Sequence, residues 1–164
     1  MNIWRLIPSH DDPAGVAKWS RRNGIIAIGW GQMGNLNLLP FQTEAELRQI
    51  VAEAHPSYTT NSQVNGGRSL WRFHHDMQVG DLVILSAKGS RKVTMRVIGD
   101  YYFVNMGEDP THYYEHRRKA EVVSIDPDRL WYATNRAAAG EGIYGTLVRC
   151  DRKLTVPEVE ALTD

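Results

Sequence analysis

The residues whose types and spacing suggest chemistry are few, and the first of them is a tryptophan. Trp30 stands in Gly29-Trp30-Gly31, directly after the apolar run Ile25 to Ile28. It therefore ends an expected strand with little side-chain bulk on either side. An indole so placed either offers a face to a flat ligand or packs into a core beside a turn. Gly29, Gly31 and Gly34 also match the spacing of a dinucleotide fingerprint. That chemistry needs a helix to open at this point so that its N–H groups meet a pyrophosphate. Asn35, Asn37 and Pro40 follow instead, so the match is fortuitous. Asp81 and Lys88 frame a strand in the manner of a metal-dependent nuclease core, but the position between them that needs a second carboxylate is Ser86. His112 and His116 have a spacing that zinc favours on a helix, without a third ligand nearby. His74, His75 and Asp76 are consecutive and point apart. No serine lies in a nucleophile elbow. The reading is a non-catalytic module with no metal and no cofactor.

What remains is an interleaving of rings, amides and bases. Trp30, Trp71, Tyr101 and Tyr102 fall at strand ends or beside loops, with Arg68, Lys88, Arg91, Lys92 and Arg117 near the same loops. Rings that sandwich a flat group, with cations close by for phosphates, suit an unpaired or flipped nucleobase.

The elements that must position these residues read as follows. Asn2 to Ile7 alternates as a first strand, and Val16 to Arg22 is a helix ended by Asn23–Gly24. Thr43 caps a second helix through a capping box with Glu46, with Leu47, Ile50, Val51 and Ala54 at helical spacing and Pro56 as the stop. Ser57 to Arg68 is a polar, glycine-ended loop or a fresh helix start. Leu70, Phe73 and Met77 share a helical face. Leu82 to Leu85 and Val93 to Ile98 are strands joined by a hairpin-type loop over Ala87 to Ser90, and Gly99–Asp100 leads into Tyr101 to Phe103. Gly107 to Pro110 is a turn, His112 to Val123 ends as a strand, Leu130 sits in a short helix, and Tyr144 to Cys150 is a last strand. Five or six short strands with two or three short helices predict an α+β fold, a small mixed β-barrel with helices at its mouth.

A chain of 164 residues supports one core. Its 19 basic and 19 acidic side chains cancel, so the overall field selects no polyanionic partner. Residues 66–119 carry nine Lys/Arg against six Asp/Glu, which allows a local basic face. The single cysteine, Cys150, excludes an intrachain disulfide and a Cys-based zinc cage. There is no apolar run of spanning length and no signal-peptide h-region, so a cytoplasmic protein with no membrane partner is expected. Residues 1–150 are read as one domain. Residues 151–164, where Thr155 begins a helix, are read as the start of a linker or helix toward a following domain.

In order along the chain, NIWRLI, GIIAIGWGQMGNLN, LWRFHHDMQVGDLVIL, VTMRVIGDYYF and HYYEHRRKAEVV resemble an EVE domain of the PUA-like superfamily. The likeness is greatest to the form fused to modification-dependent restriction endonucleases; YTH domains are cousins. It covers about residues 2–150. The resemblance implies a PUA-like pseudo-barrel that holds one modified base, flipped from DNA, in an aromatic cage. The base would be 5-methylcytosine, 5-hydroxymethylcytosine or N6-methyladenine, and a nuclease domain would follow residue 164. Carried over, Trp30 is the stacking wall, with Gly31 and Gln32 beside it in IGWGQ. Tyr102 or Tyr101 is the second wall, and Trp71 is a third wall or packs its helix. Asp100 and Ser86 hydrogen-bond the base edge, and the Lys88–Gly89–Ser90–Arg91–Lys92 hairpin touches the nucleic-acid backbone, with Arg68 and Arg117 joining it. Two departures stand out: Asn35 replaces a common Asp at the pocket mouth, and AEVV follows HRRK where relatives often carry Trp. The alternative expectation is a reader of a modified base in single-stranded RNA, in the manner of YTH relatives.

Overall fold

The computed structural model describes residues 1–105, 114–136 and 145–163. The turn expected over Gly107 to Pro110, and His112, lie outside them. The fold is α+β. Among the described residues six strands form one mixed, open sheet in the order β2-β5-β4-β3-β1-β6, where β1 is Ile3–Leu6, β2 Ile25–Ile28, β3 Leu82–Ala87, β4 Ser90–Phe103, β5 His116–Val122 and β6 Leu147–Arg149. β1 runs parallel to β3, and the other pairs are antiparallel.

Local sequence explains most boundaries. Helix α1 (Pro13–Asn23) opens on Asp12, whose side chain accepts from the Gly15 amide, and closes on Gly24 in the left-handed region at φ 66°. Helix α2 (Glu44–Ala54) carries the expected capping box, Thr43 Oγ1 accepting from Glu46 N and Glu46 Oε2 from Thr43 N. The segment read as a loop or a helix start is helix α3 (Thr60–Trp71), capped by Thr59 and widened into a π turn over Arg72–Asp76. Lys88 and Gly89 both have positive φ, 47° and 81°, and join β3 to β4 with Ala87 opposite Ser90. That is the two-residue hairpin turn whose twist matches its strands. β4 runs straight through Gly99–Asp100, and the interruption expected there is a register irregularity between Val97 and Tyr101.

Two apolar layers flank the sheet. Trp4, Leu6, Ile26, Ile28, Val83, Leu85 and Met95 pack with Leu47, Val51, Leu70 and Phe73 from the α2–α3 side. Ile3, Leu82 and Ile84 pack on the other side with Leu130, Leu154 and Val159, from helices α4 (Pro127–Ala133) and α5 (Val156–Glu160) and the approach to α5. The alternation of Leu82 and Ile84 with Val83 and Leu85 is the period-2 pattern of a strand buried on both faces. Residues after Cys150 belong to this second layer: the Leu154 amide donates to Met1 O, and Thr163 bridges to Ile125. No helix among the described residues is long and apolar enough to cross a membrane.

Candidate functional site

The indole of Trp30 lines a hollow of about 230 Å³ beside the ends of β1 and β2, together with Tyr58, Tyr114 and His10. The backbone that aims it is unusual for so large a residue. Trp30 has φ 61° and ψ 38°, in the left-handed region, a placement that costs roughly 1–2 kcal/mol for a side chain with a Cβ. Its carbonyl oxygen is held by the ring of His116, Nε2 to O 3.1 Å. His116 is fully buried on β5, and its Nδ1 lies 2.8 Å from the Tyr101 hydroxyl. That hydroxyl in turn accepts from the Leu36 amide. With Nε2–H donating to Trp30, Nδ1 accepts from Tyr101, so a single tautomer satisfies the whole chain. Burial pushes the His116 pKa down to about 4, against the opposing effect of the Trp30 carbonyl and with the positive fields of His74 and His55 adding to it. Burial also lifts the Tyr101 hydroxyl to about 12.

Glycines set how close the neighbours come. A Cβ on Gly66 of α3 would lie 2.6 Å from Trp30 Nε1 and 2.8 Å from Cε2, so the indole rests directly on the helix backbone there. A Cβ on Gly67 would lie 2.7 Å from the Arg48 Cα, so the next residue seats α3 against α2. The glycine before the indole does not leave that side open. A Cβ on Gly29 would lie 3.2 Å from the Tyr114 ring; the small residue admits a second aromatic. Tyr114 is fixed in turn by Arg117, whose Nε donates to Tyr114 O at 2.7 Å while its guanidinium lies over the Trp19 ring. Tyr58 is oriented by stacking on the buried His55, centroids 4.7 Å apart.

The polar side of the hollow is tied together across the chain. Asn65 donates to Thr146 Oγ1 at 3.1 Å and accepts from the Thr146 amide at 3.3 Å. His10 Nε2 shares a 3.1 Å hydrogen bond with the same hydroxyl. Among the described residues no carboxylate lines this hollow. It offers ring faces, hydroxyls and an amide.

A second hollow of about 650 Å³ adjoins the first through Ile7, Ser9 and His10. Its lining holds Arg5, Lys88, Arg91 and Arg136 with the rings of Trp131 and Tyr132, and again no carboxylate among the described residues. Arg91 Cζ lies 5.7 Å from both ring centroids, and Arg136 Cζ 5.1 Å from that of Tyr132. Arg91 is also ion-paired to Asp128.

The residues proposed from sequence distribute unevenly over this geometry. Trp30 lines the smaller hollow, and Ser86, Lys88 and Arg91 line the larger. Tyr101 lines neither hollow: it is buried and its hydroxyl is used by Leu36 and His116. Tyr102 points to the opposite face of β4, across the ladder from Arg117, and lines neither hollow. Trp71 packs on its own helix, stacked on His75 at 4.1 Å and meeting Phe41 edge-on. Asp100 is exposed on β4, where its charge acts on Arg118. Gly31 and Gln32 lie in the 3-10 turn after Trp30, outside the hollow, with Gly31 making room for the Glu115 side chain. Ser90 donates to Ala87 O and closes its hairpin. Lys92 and Arg68 line neither hollow, and Arg117 is buried. Asp81, considered for metal chemistry, is a buried clamp accepting from Asn2 N, Trp4 Nε1 and Gln78 N. Tyr58, Asn65, Tyr114, Thr146 and His10 in the smaller hollow, and Arg5, Trp131, Tyr132 and Arg136 in the larger, are among the lining residues not proposed from sequence. The one available signal was Tyr114, within the HYYEHRR segment that carries the resemblance.

A family model described as Domain of unknown function (DUF8426) matches residues 4–136. No curated protein and no solved structure matches the chain. The chain belongs to the DUF8426 family.

Proposed function

We propose that this DUF8426 member is a non-catalytic reader of a modified base in DNA. One observation carries the reading: a base-sized hollow, walled by Trp30, Tyr58 and Tyr114, opens beside a larger one lined by cations. A volume of about 230 Å³ matches roughly eight waters at about 30 Å³ each, and a pyrimidine ring system with its substituents has that many heavy atoms. The base is extruded from its duplex, stacks on Trp30, and meets hydroxyl and amide groups at its edge. Extrusion costs a few kcal/mol. Stacking on a ring returns about 1–3 kcal/mol, and one buried methyl adds roughly 0.8 kcal/mol. The modification therefore tips a nearly balanced exchange, with a preference of about fourfold per methyl.

In this reading the sheet belongs to the PUA-like pseudo-barrels and the chain to their EVE branch. The long β4 with its irregular register supports that architecture. The test is binding to duplexes carrying 5-methylcytosine, 5-hydroxymethylcytosine, N6-methyladenine or no mark, with a single-stranded RNA arm. The wild-type chain should prefer one marked duplex, and Trp30→Ala should erase that preference. A preference that survives Trp30→Ala refutes the reading, and tighter binding of the RNA moves the substrate class to RNA.

A further inference from the structure

We infer that the larger hollow is a second nucleotide subsite, occupied by the nucleotide that neighbours the extruded one. Its phosphate lies by Lys88 and Arg5, and its base lies against the Arg136–Tyr132 pair. The inference rests on the base-reader function proposed above and extends it from a single base to a two-nucleotide unit of a strand.

Several independent features converge on this occupant. At about 650 Å³ the hollow is nearly three times the volume of its neighbour, and it falls within the ordinary range for ligand sites. Its cations come from β1, the β3–β4 hairpin and the turn that follows α4, so separate elements of the fold converge on one anion-attracting space. Lys88 forms neither a hydrogen bond nor an ion pair among the described residues, and its left-handed backbone is set by the tight turn. Tyr132 remains 56% exposed although it is a large ring. A guanidinium plane lying on an aromatic face gives a surface on which a base stacks, and Arg136 over Tyr132 is such a surface. Ile7, Ser9 and His10 border both hollows, so the two lie side by side, as successive nucleotides of a strand do. A phosphate beside a planar base is the shared chemistry of a strand and of a free nucleotide. The adjacency of the two hollows favours the strand.

The experiment uses the full chain and single-stranded oligonucleotides carrying the modified base, so that removing a neighbour breaks no base pair. Each flanking position is made abasic in turn. One side should weaken binding by about 5- to 150-fold, the range for stacking of one base, and the other side should not. Tyr132→Ala and Arg136→Ala should each remove most of that neighbour dependence while keeping the preference for the modified base. Lys88→Asn, which tolerates the left-handed backbone, should lower the salt slope by about one. Neighbour-independent binding that keeps the modified-base preference overturns the second subsite alone. Loss of the preference itself overturns the base reader and the subsite with it. Equal competition by a free modified mononucleotide 5′-phosphate overturns the strand in favour of a single-nucleotide ligand.

Discussion

Replacing Gly66 by alanine sets two effects of opposite sign against each other. Gly66 lies inside α3, where alanine is favoured over glycine by about 1 kcal/mol. If nothing pressed on the helix there, the variant would be more stable than the parent. The added Cβ would instead fall 2.6, 2.8 and 2.9 Å from Nε1, Cε2 and Cδ1 of Trp30. Reaching an ordinary 3.4 Å contact requires a shift of about 0.8 Å. The helix cannot supply it easily, because Gly67 holds α3 against the α2 backbone and Asn65 is hydrogen-bonded to Thr146. The indole is not free to supply it either, with its carbonyl bonded to His116 and Tyr114 beside Gly29. Overpacking of this kind costs roughly 1–3 kcal/mol. Net destabilisation of about 0–2 kcal/mol follows.

The clean readout is a double-mutant cycle by denaturant unfolding. In a Trp30→Ala background the clash is gone, so Gly66→Ala should stabilise by about 1 kcal/mol. The coupling between the two sites is then about 1–3 kcal/mol. Gly66→Ala should also weaken binding of the modified oligonucleotide, because the displaced ring tilts into the space a base would occupy. Additivity of the two substitutions within about 0.5 kcal/mol, or a Gly66→Ala protein more stable than its parent, refutes the claim that this glycine seats the indole.

Two further outcomes follow from the buried polar groups. His116 has a folded pKa of about 4 against an ordinary 6.5, so the unfolded chain takes up the proton first as pH falls. The associated stability is fully present above about pH 6.5 and is lost on descending through pH 4, by on the order of 3 kcal/mol. Burial lowers His74 as well, with the same sign. Denaturant titrations at pH 7.5, 5.5 and 4.5 should show the decline, and His116→Gln should flatten it; an equally steep decline in that variant contradicts the assignment. Asp81→Asn should destabilise by about 2–3 kcal/mol, because both carboxylate oxygens accept from buried or half-buried N–H groups and an amide nitrogen must then face donors; a change below about 0.5 kcal/mol would show that these bonds matter little.

Features fixed by short-range chemistry were legible in the sequence. The Thr43–Glu46 box, the Gly24 stop, β2 and the Lys88–Gly89 hairpin each depend on residues within four positions of one another. Helix α3 was ambiguous because Asn65-Gly66-Gly67 lowers its intrinsic helicity. Those same three residues make its closest contacts, touching Thr146, Trp30 and Arg48 in turn. Trp30 was recognisable from its setting, but its partners were not. Tyr101 and Tyr102 follow a Gly-Asp pair and looked like loop rings, whereas β4 continues through them and pleating sends one into the core and the other to the opposite face. Arg117 reads as a cation for the nucleic-acid backbone, yet both it and its neighbour Arg118 are buried. Arg117 holds the Tyr114 carbonyl, and Arg118 bonds the carbonyls of Phe73, His74 and Gly99. Periodicity reports which face of an element is apolar, not which remote element will meet it; Thr146 reaches Asn65 only because β6 pairs with β1.

The conformation of Trp30 bears on function more directly than its identity does. A bulky residue in the left-handed region is stable only where its surroundings over-determine it, and here three independent contacts do so: His116 on its carbonyl, the bare backbone of Gly66 under its ring, and Tyr114 in the space left by Gly29. Core packing alone does not call for such an arrangement, because an extended tryptophan at a strand end reaches a core without strain. Ring stacking does call for it. Stacking one base is worth about 1–3 kcal/mol, and immobilising a loose side chain on binding would cost about 0.5–1.5 kcal/mol, a large share of that gain. An indole already fixed before the ligand arrives keeps the whole of the stacking energy. Under the proposed function the strain marks a pre-organised wall, and relieving it should weaken binding more than it raises stability.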